Sequence, residues 1–210
     1  DISKDFLLSS TQTLAGDYPW LEVHAACVDF SQTLDIPHCE TFEHKVAFFP
    51  GSSIGNFDPD EAIELLRRIA QMMNHSGHLL IGVDLKKNTD ILTAAYNDSA
   101  GVTAAFNLNL LSRIRDELDT DIKPGLFEHD AFYNPLHGRI EMHLVSRQPQ
   151  SVRIEDRRFD FGKGESIHTE NSYKYTVEEF AGLASAAGFQ QQQVWTDAGN
   201  LFSVQLLKTI

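Results

Sequence analysis

Within six residues, Gly51-Ser52-Ser53-Ile54-Gly55-Asn56, the chain gathers two glycines, two serines and an asparagine. The glycines let the backbone pass close to a ligand, and the hydroxyls and the amide supply donors and acceptors there. An apolar run, Val46-Ala47-Phe48-Phe49, precedes the loop, and a capped amphipathic helix follows it. Open α/β sheets place ligands at the carboxyl ends of their strands, so a small molecule is expected at this loop. On composition alone an ordinary strand-to-helix connection fits equally well.

Other side chains could serve the same ligand. Asp1 and Asp29-Phe30 fall at what read as the carboxyl ends of neighbouring strands. A carboxylate in that place can accept both hydroxyls of a ribose, and a second carboxylate followed by an aromatic suits an adenine. Either aspartate alone fits a solvated loop or a helix cap as well; the pair together favours an adenosine ligand. In Glu170-Asn171-Ser172, period-2 alternation puts Glu170 and Ser172 on one face of a strand and Asn171 on the other. A carboxylate beside a hydroxyl could hold an N–H-bearing ring such as imidazole, and a solvent-facing polar strand is the alternative. Tyr96 closes a helical stretch beside Asn97-Asp98, and its hydroxyl could serve a ligand or find a surface partner.

These residues need elements to carry them. Ser3 caps a helix marked by Phe6, Leu7 and Leu14 that ends around Gly16 and Pro19, and 21–28 reads as a strand ending at Asp29-Phe30. Residues 46–49 form the next strand. Asp58, Pro59 and Glu61 then start a helix with a capping-box arrangement, and Ala62, Leu65, Leu66, Ile69, Ala70 and Met73 repeat with helical period. The helix ends at Asn74, Ser76 and Gly77. Residues 79–83 are a continuous apolar strand of the kind buried on both faces. This alternation implies a doubly wound α/β fold.

After Asp84 the character changes: helices over 90–96 and 102–118, then strand-like alternation over 127–146 about a Pro135–Gly138 turn, with more short strands to Tyr175. Thr176 caps a last helix, closing at Gly188, and two final strands flank Asp197-Ala198-Gly199-Asn200 as an antiparallel hairpin. The domain expectation is a Rossmann-like core over 1–87, an inserted α+β substrate-binding subdomain over 88–175, and a return to the core over 176–210.

A net charge of −13 argues against binding a phosphate backbone or an anionic membrane surface. No apolar run approaches the ~20 residues of a membrane span, and Cys27 and Cys39 form no CxxC pair, which fits a reducing cytoplasm. The nine histidines are scattered without a ligand pattern, so no metal site is expected. The Gly-rich loop that should follow a first strand has no counterpart, and a beginning at the carboxyl end of a strand implies residues upstream of Asp1.

The loop GSSIGN (51–56), then Asp84-Leu85-Lys86-Lys87, Ala94-Ala95-Tyr96-Asn97-Asp98, GVTAAFN (101–107), Phe127-Glu128-His129 and Ile140-Glu141-Met142 occur in one order. That series resembles the histidine-specific S-adenosylmethionine-dependent methyltransferases, the L-histidine Nα-methyltransferases of ergothioneine biosynthesis, over essentially the whole chain. The resemblance implies a class I methyltransferase sheet, S-adenosylmethionine as the methyl donor and L-histidine as the small-molecule substrate. It implies that Asp1 lies near the donor ribose, and that Asp29 and Phe30 contact adenine. Asn56 would hold the α-amino and carboxylate groups of histidine, and Tyr96 its carboxylate. Glu170 and Ser172 would read the imidazole, with Met142 lining that pocket. Rival expectations are the same fold acting on another amine, and a non-catalytic binding fragment.

Overall fold

The computed structural model describes residues 2–29, 44–73 and 76–210. Asp1, Phe30, Asn74 and His75 lie outside the described residues, so the expectations placed on them have no structural counterpart here.

Helix α1 (Lys4–Asp17) follows Ser3 as expected, but it buries none of its residues: Phe6 and Leu14 are exposed. The expected strand over 21–28 does not form. Residues 22–29 run without a strand partner among the described residues, and β-propensity alone, without a ladder to satisfy the backbone, makes no strand. One contact ties this segment to the start of the chain, from Cys27 Sγ to the Ile2 carbonyl at 3.7 Å.

Strands β1 (Lys45–Phe49), β2 (Gly77–Asp84), β8 (Phe189–Thr196) and β9 (Phe202–Thr209) make a four-stranded sheet in the order β1-β2-β9-β8. β1 and β2 pair in parallel, joined through helix α2 (Pro59–Met72), and β9 enters antiparallel to both β2 and β8. The Asp58–Glu61 capping box starts α2, with Glu61 Oε2 accepting from the Asp58 N–H at 3.0 Å. The periodic residues Ala62, Leu65, Leu66, Ile69 and Ala70 all turn inward. With Phe180, Leu183 and Ala184 of helix α5 (Val177–Ala186) they cover Leu79, Ile81, Val83, Phe189 and Leu207 on one face of the sheet. Among the described residues the opposite face stays open at Val46, Phe48 and Trp195, so the doubly wound expectation is met on one side only.

The central third forms its own sheet, β3 (Phe127–Asn134), β4 (Arg139–Ser146) and β7 (Ser166–Tyr173) in that order, plus a hairpin of β5 (Gln150–Ile154) and β6 (Arg157–Phe161). Helix α3 (Thr89–Tyr96) packs Leu92 onto Ala131, Ile140 and Met142, and helix α4 (Val102–Glu117) packs Leu111 onto Phe127 and Leu144. The end of β7 returns to the main sheet: Leu85 and Tyr175 bridge in parallel, and the Lys86 N–H donates to the Tyr175 carbonyl at 2.9 Å. The end of β2 and the end of β7 thus meet beside the Gly51–Asn56 loop.

Candidate functional site

That loop leaves β1 through two consecutive left-handed residues, Gly51 (φ 78°) and Ser52 (φ 59°), and continues as a 3-10 turn over Ser53–Asn56. The serine accepts an uncommon conformation and gains a bond from it, since Ser52 Oγ accepts from the Asp84 N–H at 2.8 Å. Gly55 has no alternative. A Cβ there would lie 2.7 Å from the Tyr173 carbonyl oxygen, so only glycine lets the loop approach β7 this closely.

The approach encloses a cavity of about 320 Å³ between the two sheets, lined by the loop residues Gly51, Ser52, Ser53 and Asn56 together with Asp84, Tyr96, Ser172, Lys174 and Phe202. That volume suits one amino-acid-sized molecule. Three of the expected substrate residues, Asn56, Tyr96 and Ser172, share it. Glu170 lies two residues from Ser172 on the same face of β7, paired in register with Met142 as Ser172 is with Ile140. Met142 is buried in the small core beside Leu92, and neither it nor Glu170 lines the cavity itself. Asp29 sits exposed at the end of the 22–29 segment.

At the centre is Lys174, which sequence reasoning missed. Its side chain is 1% exposed, and its three N–H bonds are all used: to Asp84 Oδ2 at 2.8 Å, Ser172 Oγ at 2.8 Å and the Tyr96 oxygen at 2.9 Å. The Tyr96 hydroxyl donates to Ser172 Oγ at 2.8 Å. The other Asp84 oxygen accepts from Lys87 at 2.5 Å, so two ammonium groups share one carboxylate. Lys174 continues the alternation begun by Glu170 and Ser172, which is the signal that could have flagged it. Burial holds the Glu170 carboxyl above its usual range, against the pull of the Lys174 charge. The Asn56 amide bonds to no other described residue and is free for a ligand.

Tyr96 is itself held in place by the family-like segments. His129 Nε2 donates to the Tyr96 carbonyl at 2.8 Å, which leaves Nδ1 to accept from the Asn107 amide at 3.0 Å. Asn107 is 3% exposed and also donates to the His143 carbonyl at 3.2 Å. Asp98 Oδ2 and Oδ1 accept from the N–H groups of Val102 and Thr103, which start α4, at 2.9 and 2.8 Å. Those bonds lower its pKa to about 2. Helices α3 and α4 are thereby tied to each other and to β3, and Tyr96 lines the cavity while packing on the Leu92–Met142 core.

Among the described residues, two of the histidines expected to be scattered meet beside a carboxylate. Glu141, His143 and His168 meet on the outer face of the β3-β4-β7 sheet.

The sequence matches a family described as histidine-specific methyltransferase, SAM-dependent, over residues 1–209. It is 38% identical over 209 residues to a histidine N-alpha-methyltransferase of Mycolicibacterium smegmatis, covering 98% of this chain and 64% of that protein. It is 32% identical to ergothioneine biosynthesis protein 1 of Neurospora crassa, covering 75% of this chain and 18% of that protein. The chain thus spans less than two thirds of the length of these curated relatives. Among solved structures it is similar to an S-adenosylmethionine-dependent methyltransferase from Clostridium acetobutylicum, with a TM-score of 0.50 and 13% identity over 100% of this chain and 73% of that one. That likeness bears on the fold alone, an α/β fold of the class I methyltransferase type. With a match running from the first residue to the penultimate one, the chain belongs to the histidine-specific, SAM-dependent methyltransferase family.

Proposed function

We propose that the protein transfers methyl groups from S-adenosylmethionine to the α-amino nitrogen of L-histidine, giving trimethylhistidine (hercynine) for ergothioneine biosynthesis. The observation that carries the reading is the convergence of Asn56, Tyr96 and Ser172 on one cavity, with Glu170 on the same face of β7.

Each group has a defined task. Glu170 accepts the ring N–H. Lys174 donates to both the Tyr96 and the Ser172 oxygens, and one of their two hydroxyl protons is used between them. One hydroxyl proton is therefore left for the ligand. In the observed arrangement it belongs to Ser172 and meets the unprotonated ring nitrogen; reversing the Tyr96–Ser172 bond hands it to Tyr96 for the carboxylate. Met142 backs the ring from the core. Asn56 holds the amino end with a neutral group. The carboxylate lining the cavity, Asp84, is neutralised by Lys87 and Lys174, so nothing there favours the protonated amine. An α-amino group of pKa ~8 is partly neutral at physiological pH, and positioning rather than a dedicated base supports the reaction.

When bound, S-adenosylmethionine supplies a methyl group on a sulfonium. Among the described residues, Asp29 is the one that the family resemblance assigns to its nucleoside end, where it would hold the adenine amine. Asp1 and Phe30, which lie outside the described residues, are assigned to the same nucleoside by the family resemblance alone. The cavity volume suits the amino-acid substrate alone. Residues 88–175 serve as the substrate-binding subdomain set into a core of 1–87 and 176–210. No helix among the described residues is long and apolar enough to cross a membrane, and a cytoplasmic place suits an exposed free thiol at Cys27.

The test is mass spectrometry of L-histidine incubated with the intact enzyme and S-adenosylmethionine, with tyrosine and tryptophan as parallel substrates. Successive methyl additions on histidine alone support the reading, and methylation of either aromatic amino acid in its place overturns it.

A further inference from the structure

We propose that Glu141, His143 and His168 form a binding site for a divalent transition-metal ion of the Zn²⁺ type, on the face of β7 opposite Glu170 and Ser172. One ligand atom from each lies within 4.8 Å of the others, and the site is independent of the methyl-transfer reading.

The register assembles it. His143 pairs directly with His168 across β4 and β7. Simple alternation would put His168 on the same face as Glu170 and Ser172. A bulge between Met142 and His143, pinned by Thr169 Oγ1 donating to the Met142 carbonyl at 3.0 Å, shifts the parity and turns His168 to the other face. The two rings then lie parallel, 4.5 Å apart.

The hydrogen bonds occupy the outer nitrogen of each ring. His143 Nδ1 is bonded to Ser166 Oγ at 3.2 Å, leaving Nε2 toward Glu141 Oε2. His168 Nε2 is bonded to the Glu170 carbonyl at 3.2 Å, leaving Nδ1. A second bond that fixes the unligated nitrogen is the usual partner of a metal-bound histidine. Glu141 is buried, and its Oε1 is oriented by Asn134 at 3.0 Å and by Arg139 at 2.8 Å. Its Oε2 stands 3.4 Å from His143 Nε2, long for a hydrogen bond but close to the ~3.4 Å edge of a tetrahedron whose ligands lie ~2.0–2.1 Å from Zn²⁺. His168 is exposed, and to share the ion its ring would turn out of the stack on His143 so that Nδ1 points at the same centre. Beside Glu141 on this face, Asn171 has a buried Oδ1 without a hydrogen-bond partner, which offers a further oxygen. Two imidazoles and a carboxylate select Zn²⁺ or its neighbours over Ca²⁺ and Mg²⁺.

The experiment is titration of tag-free, metal-stripped protein with Zn²⁺ by calorimetry and with Co²⁺ by visible absorption. One equivalent should bind, with the Co²⁺ bands of a nitrogen- and oxygen-ligated site. His143→Gln and His168→Gln should each weaken binding at least tenfold, and Ser166→Ala by about tenfold through the lost outer contact. His24→Gln, a change at an exposed residue outside the site, should leave it unchanged. Equal binding by the His143/His168 double variant, with its fold verified by circular dichroism, overturns the proposal, as does absence of both heat and absorption in the unaltered protein.

Discussion

Lys174→Met removes the charge at the centre of the cavity and keeps most of the side-chain volume. Loss of one partner from a buried ion pair costs about 3–5 kcal/mol when the other charge is left uncompensated. Here it is not left so, because Asp84 keeps Lys87 at 2.5 Å and its side chain is 19% exposed. Tyr96 and Ser172 keep the bond between them and each loses one donor, with net bonds worth ~1 kcal/mol. The apolar replacement also escapes the cost of burying an ammonium. The expected loss is therefore about 1–3 kcal/mol, read as a lower urea midpoint at unchanged slope. Lys87→Met alone should cost less, since Lys174 remains on Asp84. The double variant strands Asp84 and should lose about 1 kcal/mol or more beyond the sum of the two, a coupling typical of groups that share a partner. Histidine binding should weaken by at least tenfold in Lys174→Met, while S-adenosylhomocysteine binding by the intact enzyme holds. Additive behaviour of the two lysines, or unaltered histidine affinity in Lys174→Met, would refute the account.

Glu170→Ala should weaken histidine binding by about 10- to 150-fold, the worth of a hydrogen bond to a charged group (~1.5–3 kcal/mol), with S-adenosylhomocysteine binding retained; equal loss of both by calorimetry would remove Glu170 from the ring site. Gly55→Ala places a methyl 2.7 Å from the Tyr173 carbonyl and should cost about 1–3 kcal/mol in chemical denaturation, whereas full stability would mean that the loop has room to spare. Asp98 has a folded pKa of about 2 against ~3.9 unfolded. Its stabilising contribution is thus complete above pH ~4 and is lost as the pH falls toward 2. Asp98→Asn should flatten the thermal-melting profile over that window, and a profile parallel to the unaltered protein would assign the acid sensitivity elsewhere.

Much of the architecture is legible because local rules are strong where they act alone. Asp58-Pro59-Asp60-Glu61 can hardly be read as anything but a helix start, and the apolar run 79–83 as anything but a buried strand. Asn56, Tyr96 and Ser172 were accessible for a similar reason: a loop after a strand, a helix end and one face of an alternating strand are places that sequence spacing defines. The strand expected over 21–28 failed because alternation and propensity say nothing about whether a neighbour exists to pair with. Lys174 was hidden by its type, since an isolated lysine near a turn suggests a solvated surface. Only the meeting of two sheets reveals that Asp84, ninety residues earlier, neutralises it. His168 was hidden by a bulge, since an extra residue reverses inward and outward for everything before it, and no composition marks where it falls.

On the proposed reading, the same side chains set selectivity for histidine. Along β7 and the residue just past its end, Glu170, Ser172 and Lys174 follow one alternation at intervals of ~6.6–6.8 Å, so a carboxylate and an ammonium flank a hydroxyl. At the Lys174 end, two lysines against one carboxylate leave an excess positive charge behind Tyr96, where an amino acid's carboxylate is welcome. At the Glu170 end a half-buried carboxylate awaits an N–H. A ring without nitrogen leaves that carboxylate desolvated and unpaired, and a site built around a polar group discriminates more strongly than a merely apolar pocket does. An indole offers the N–H yet lacks the second nitrogen to take the proton of Ser172. Imidazole meets both demands in its neutral form. The proposed preference for histidine thus rests on the order of three side chains along one run of chain, and the neutral Asn56 across the cavity would leave the amine the lone pair that methyl transfer consumes.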